Sequence, residues 1–204
     1  EYQATDEITR GRFGLAEAYA QEGSQFAAEA GQPNTACRHQ GLLALCAAIR
    51  SHADAGDLAK AVLAEASARR LPDAMAYARR ALGLLELAAG RHSEAARHFE
   101  AIGEPPSDLA MTVLPDLVEA LVRAGEQERA AEAAAGFATW TEHTVAPELH
   151  ALTARCRALV SSNTDHYTES LQLHTDSPLE SARTELLFGE HLRRERRRSA
   201  KRRF

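Results

Sequence analysis

Apolar positions recur along this chain at the three-to-four-residue spacing of amphipathic helices, and the clearest case is residues 81–102, ALGLLELAAGRHSEAARHFEAI. Leu82, Leu85 and Leu87 mark a first helix, with Gly83 among them offering no Cβ to hold a neighbouring helix away. Gly90 suits a C-cap, Ser93 suits the N-cap of a second helix, and Ala95, Phe99 and Ile102 fall on one face of it. The stretch is therefore expected to form two antiparallel helices.

The same reading extends in both directions. Residues 1–10 read as the frayed stump of a helix, and Gly11 to Gly31 as one long helix with Leu15, Ala18, Phe26 and Ala30 inward. GQPN (31–34) breaks it, Thr35 to Arg50 follows, and a polar loop (51–56) leads into Asp57 to Arg69. Pro72 opens the helix that feeds residues 81–102. GEPPSD (103–108) is expected to be a loop, and Pro115 to kink or restart the helix after it. Residues 116–140 form a second strong pair with Leu117, Leu121, turn residue Gly125, Ala130 and Phe137, and Trp140 extends that face. Pro147 opens a helix to Val160, and Thr164 is placed as the cap of a short helix holding Tyr167, Leu171 and Leu173. Ser177, Pro178 and Glu180 combine an N-cap, a first-turn proline and a capping-box glutamate, followed by Leu186, Leu187, Phe188, Gly189 and Leu192.

In residues 82–99 the Leu82-Gly83 pair, Gly90, Ala95 and Phe99 stand at the spacing of the tetratricopeptide repeat, which the segment resembles. Leu121, Gly125, Ala130 and Phe137 follow a similar order, and Phe188-Gly189 repeats the packing pair. The resemblance implies an all-α fold: tetratricopeptide-like antiparallel helix hairpins stacked in a right-handed solenoid, residues 1–204 forming a single domain. Four to five hairpins bury between them the faces that one hairpin leaves bare.

Composition agrees. Alanine is about a fifth of the 204 residues, valine and isoleucine are few, and no alternating apolar run is bounded by hairpin turns. No apolar run approaches the roughly 20 residues that span a bilayer, and no basic-then-apolar leader opens the chain, so a cytoplasmic protein without membrane contact is expected. Cys37, Cys46 and Cys156 are odd in number and form no CxxC; they are expected to be buried, reduced thiols. The net charge of −5 is uneven: residues 191–204 hold eight Lys or Arg against Glu195, +7, which leaves −12 on the rest. The basic end is read as a solvated face of a last hairpin in preference to a phosphate-binding tail.

Catalytic patterns are missing. A phosphate-cradling loop needs Gly-Lys-Ser or Gly-Lys-Thr, and the two lysines, Lys60 and Lys201, each follow alanine. There is no HExxH, His92 with His98 and His166 with His174 lack the spacing of helical metal ligands, and no GxSxG occurs. No enzyme activity, cofactor or metal is expected.

A second resemblance covers most of the chain. Residues 30–50, 81–95, 114–130, 152–160 and 181–204 (SARTELLFGEHLRRERRRSAKRRF) are similar in order and wording to the helical-repeat region of large ATP-binding LuxR-type (MalT-like) transcriptional regulators. The resemblance implies a sensor and assembly module, a fragment of a longer bacterial chain with a signal-transduction ATPase upstream and a helix-turn-helix domain downstream. Neither flank is present in these residues. It implies a protein or small-molecule inducer in the concave groove, possible homo-oligomers, and DNA contact only through the absent helix-turn-helix. In this repeat type the first helix of each hairpin lines the groove, which nominates Tyr77, Arg80, Glu119, Arg123, Glu190 and Arg194. The alternative is a free-standing repeat adaptor that binds a peptide or a partner helix.

Overall fold

The computed structural model describes residues 1–103 and 108–201, with the side chains of 108, 109, 200 and 201 left aside. Among these residues there are eleven α-helices and no strand: α1 (Tyr2–Thr9), α2 (Phe13–Glu29), α3 (Pro33–Ile49), α4 (Ala55–Arg69), α5 (Pro72–Ala88), α6 (His92–Glu100), α7 (Asp108–Ala124), α8 (Gln127–Thr141), α9 (Pro147–Ser161), α10 (Thr164–Leu173) and α11 (Pro178–Lys201). The loop expected at 103–108 falls almost wholly outside the described residues, as do Arg202, Arg203 and Phe204 of the basic end.

Local chemistry sets most of the boundaries. Proline stands in the first turn of α3, α5 and α9, where its missing N–H leaves no bond unmade. Gly90 and Gly125 end α5 and α7 with φ of 76° and 86°, conformations that a side chain disfavours. Several starts differ from expectation. Residues 1–10 are no frayed stump: α1 is an ordered helix whose Ala4 is fully buried. Ser93 lies inside α6, which begins at His92 after Arg91 without a side-chain cap. Asn163, not Thr164, caps α10, its side chain accepting from the Asp165 N–H at 3.0 Å. Pro115 does not restart a helix but lies within α7, which runs on from Asp108 to Ala124. Leu114, Val118 and Leu121 around it are buried, and that packing offsets the backbone hydrogen bond proline cannot make.

The inward face of α2 also differs. Ala16, Ala20 and Ala27 are buried, whereas Ala18 and Ala30 are exposed and Leu15 and Phe26 stand 49% and 62% exposed. Close approach decides this: α2 meets α3 through its small residues, and a Cβ on Gly23 would run into the His39 ring. Gly83 is used in the same way, a Cβ there meeting the Phe99 ring, so α5 and α6 close on each other through a glycine. Gly189 has nothing within 4 Å of its Cβ position and is not the packing glycine its sequence context suggests.

The helices pack in a regular succession. α3 lies against α1, α2, α4 and α5; α5 against α4, α6 and α7; α7 against α6, α8 and α9; and α9 against α8 and α10. Each odd-numbered helix through α7 thus meets the next odd one, with an even helix wedged on the other side. The core follows the same line: Ala44, Leu45, Ala55 and Ala81 join α3, α4 and α5, and Met111, Val118, Phe137, Cys156 and Leu187 join α7, α8, α9 and α11. Each large apolar side chain so enclosed contributes about 1.5–3 kcal/mol.

α11 departs from the succession. Its backbone lies closest to α10, where Phe188 stacks on Tyr167 with ring centroids 5.0 Å apart. Just before its first turn, the Ser177 hydroxyl donates to the Thr9 carbonyl of α1 at 3.2 Å, across 168 residues of chain. The helix that follows the series has therefore come round to the helix that opens it.

Candidate functional site

Three helices present charged stripes toward one another. On α5 the stripe is Arg80 with Leu84 and Leu87; on α7 it is Asp116, Glu119 and Arg123; on α11 it is Glu180, Arg183 and Glu190. Spacings of three, four and seven put each set on one face of its helix.

Arg183 is the centre. Its Nε donates to Glu119 Oε2 at 2.8 Å, and its Nη1 donates to Asp116 Oδ1. Asp116 also accepts from Arg80 Nε at 3.0 Å, Glu119 accepts from Arg123 Nε at 2.9 Å, and Arg123 Nη2 pairs with Glu190 Oε2 at 3.0 Å. From α9 the buried Arg155 reaches Glu180. Four guanidiniums thus face four carboxylates across four helices. Asp116 and Glu119 are only 1% and 5% exposed, so their charges stand only because the arginines surround them. Burial alone would raise the Asp116 carboxyl, but the Arg80 and Arg183 guanidiniums hold it at about 2. Glu119 and Glu180 lie below the usual carboxylate range for the same reason: burial opposes, and the arginines prevail.

Beside this lattice runs a groove of about 480 Å³, walled by Ile49 of α3, Leu84 and Leu87 of α5, and Leu179 and Leu186 of α11. In a smaller recess that shares Ile49, Leu179 and Glu180 with the groove, Glu148 of α9 accepts from the N–H groups of Thr175 and Asp176 at 2.8 and 2.9 Å and bonds His174 Nδ1 at 2.9 Å, fixing the turn from which α11 starts. A larger recess of about 710 Å³ lies among α6, α7 and α8, walled by Phe99, Met111, Leu114 and Trp140, but Arg129 at its edge is already paired with Glu100 and Glu126. The groove at α11 is the place where polar groups converge, as ligand sites require.

Of the six residues nominated from sequence, Arg80, Glu119, Arg123 and Glu190 come together here. Tyr77 is half-buried in a separate small recess with Thr5, Ile8 and Leu42, and Arg194 stands exposed further along α11. Asp116, Arg155, Glu180 and Arg183 were missed. Asp116 lies three residues before Glu119, and Arg183 lies seven before Glu190, so extending those stripes by one or two turns finds these two; Arg155 lies on α9, which carries no nominated residue, and Glu180 lies nearly three turns before Glu190. Glu180 and Ser177 were assigned to capping α11; instead Glu180 turns to Arg155, and the Ser177 hydroxyl to α1.

The arrangement holds and orients its side chains. Cys37, Cys46 and Cys156 are buried free thiols, and burial pushes Cys46 and Cys156 up to about 12. Among the described residues no three His, Cys, Asp or Glu side chains are grouped to hold a metal ion, and no helix is long and apolar enough to cross a membrane. No family model, no curated protein and no solved structure matches the chain.

Proposed function

We propose that this chain is a non-catalytic docking and sensing module, built of tetratricopeptide-like hairpins in a right-handed solenoid whose odd-numbered helices line the concave side. In this reading it is the sensor and assembly region of a LuxR-type, ATP-dependent transcriptional regulator acting in the bacterial cytoplasm. A small-molecule or protein inducer enters the groove and biases the assembly state, and DNA is met only by a separate helix-turn-helix domain. The observation that carries the reading is the groove itself, where residues from α5, α7 and α11 converge beside an apolar wall. A ligand that binds one arrangement of these helices better than another shifts the population between them, which is all a sensor needs.

The test is a thermal-shift screen of metabolites and peptides, with each hit mapped by amide chemical-shift changes. Hits that perturb Leu84, Arg123, Leu186 and Glu190 support the reading. Hits that map only to the outer, even-numbered helices, or a measurable turnover of any hit, contradict it. A second reading, a free-standing adaptor that takes a partner helix, is favoured by one observation: along one wall of the groove the charged stripe of α11 already pairs with that of α7, as a partner helix would. The two separate on the neighbouring codons of the gene, where an ATPase upstream and a helix-turn-helix downstream belong to the first alone.

A further inference from the structure

The groove does not end at the charged lattice. Ile49, Arg80, Leu179 and Glu180 stand both in its wall and in the wall of the smaller recess of about 150 Å³ that Glu148 borders, so the two spaces meet across single side chains. That inner recess is enclosed by all six odd-numbered helices, through Thr9 of α1, Ile49 of α3, Arg80 of α5, Thr112 of α7, Leu152 of α9 and Leu179 of α11. Alone it falls below the roughly 300 Å³ at which ligand sites begin, whereas the adjoining groove of about 480 Å³ lies within their range.

The Arg, Asp and Glu side chains of both walls are already matched. Asp116 holds Arg80 and Arg183, Glu119 holds Arg183 and Arg123, Glu190 holds Arg123, Arg155 holds Glu180, and Glu148 takes two backbone N–H groups. An entering carboxylate would have to draw Arg80 from the buried Asp116, and an entering ammonium would have to draw an acid from its arginine, so neither ion finds a counter-charge of its own. The hydroxyls differ. Thr9 donates its hydrogen to the Thr5 carbonyl at 3.1 Å, and Ser177 donates its own to the Thr9 carbonyl at 3.2 Å, so each oxygen keeps lone pairs and has no hydrogen left to offer.

We infer that the groove and the inner recess form one site for an uncharged, slender amphiphile: an aliphatic chain with a hydroxyl or amide N–H at one end. The donor at its head meets the Thr9 oxygen, beside Ser177, and its chain runs past Ile49 and Leu179 to the apolar wall of Leu84, Leu87 and Leu186. Each methylene withdrawn from water in this way raises the affinity about fourfold. A molecule held there touches α1 and the turn before α11 together, so it favours the closed curl of the helices over an open one, and that difference is the sensor's output. This rests on the reading of the groove as a docking face and adds to it the class of ligand.

The experiment uses the full chain and four probes of one chain length: 1-decanol, decyl methyl ether, decanoate and decylammonium. Each is titrated at pH 7 against bound N-phenyl-1-naphthylamine, an uncharged dye with one N–H that brightens in apolar surroundings. 1-Decanol is expected to displace the dye at a concentration at least about tenfold lower than either ion needs. The ether has no donor and should need about three- to tenfold more than the alcohol. Thr9→Val removes the oxygen and keeps the shape; it should weaken 1-decanol by about the same factor and leave the ether unchanged, a split that a general loss of fold would not produce. Equal binding of the alcohol and the ions, or an equal effect of Thr9→Val on alcohol and ether, overturns the inference. On the wild-type chain, amide chemical shifts with 1-decanol should move at Thr9, Ile49, Leu152 and Leu179; shifts confined to Met111 and Trp140, in the larger recess among α6, α7 and α8, overturn it as well. If screened ligands of another class perturb Leu84, Arg123, Leu186 and Glu190 while 1-decanol does not bind, the amphiphile is refuted and the docking reading stands. If no ligand of any class perturbs the groove, both are refuted.

Discussion

Replacing Arg183 by alanine removes the cation that lies between two buried carboxylates. The side chains of Asp116 and Glu119 are 2% and 6% exposed, and that of Arg183 is 17% exposed. Taking one partner from a buried pair costs about 3–5 kcal/mol when the other charge is left alone. Here neither acid is left alone, because Asp116 keeps Arg80 and Glu119 keeps Arg123. The expected loss therefore falls at or below the foot of that range, about 2–3 kcal/mol, a large share of the roughly 5–15 kcal/mol that a domain has in all. Urea unfolding at pH 7, followed by far-ultraviolet circular dichroism, measures it as a drop in midpoint at unchanged slope. Arg97→Ala is the control: its partner Glu94 is on the surface, so its loss should not exceed about 0.5 kcal/mol. If the two variants lose the same stability within about 0.5 kcal/mol, the lattice is an ordinary surface network and the reasoning fails.

Acid should loosen the fold in a defined window. The Asp116 carboxyl stands at about 2 in the folded chain against an ordinary 3.8, so its contribution is complete above the ordinary value and is lost as pH falls toward 2. At about 1.4 kcal/mol per unit that is roughly 2 kcal/mol from this group, with Glu119 and Glu180 acting in the same sense. Urea midpoints that stay flat from pH 5 to pH 2.5 would contradict it. Gly83→Ala should cost about 1–3 kcal/mol, since its Cβ meets the Phe99 ring, whereas Gly189→Ala, with open space around it, should be neutral or stabilise by up to about 1 kcal/mol. Melting temperatures that move the same way would refute the distinction. Cys46 and Cys156, buried and pushed up to about 12, should resist iodoacetamide in the folded chain and react fully in urea, as read by intact mass.

Helix positions were legible in the sequence wherever a rigid or permissive backbone set them. Pro72 and Pro147 start helices and Gly90 and Gly125 end them because their own φ preferences act without help from the rest of the chain. The errors arose where tertiary contact competed with a local signal. Leu15 and Phe26 looked inward by hydrophobicity, yet the close meeting of α2 and α3 selects alanine and glycine for the interface and leaves the large residues outside. Pro115 looked like a break, but its neighbours are buried on α7 and hold the helix through it. Ser177 and Glu180 made a good local cap and were drawn instead to α1 and to Arg155. Four of the six nominated groove residues were found by assigning helices to hairpins. Their partners were not, since which stripe of α11 meets α7 depends on how far the series of helices curls, and no local pattern encodes that.

That curl is what the whole account depends on, and Thr9 and Ser177 mark its closure. Thr9→Cys with the exposed Asp176→Cys places two reactive thiols at the junction of α1 and α11, while the buried native cysteines stay silent. Treated with a short bismaleimide under native conditions, the monomer should form an intrachain crosslink, visible as a faster-migrating band and as a crosslinked Thr9–Asp176 peptide pair by mass spectrometry. Failure to crosslink at native pH, with both thiols fully labelled by a monofunctional maleimide, would mean that α11 does not close on α1 and that the groove as described does not exist.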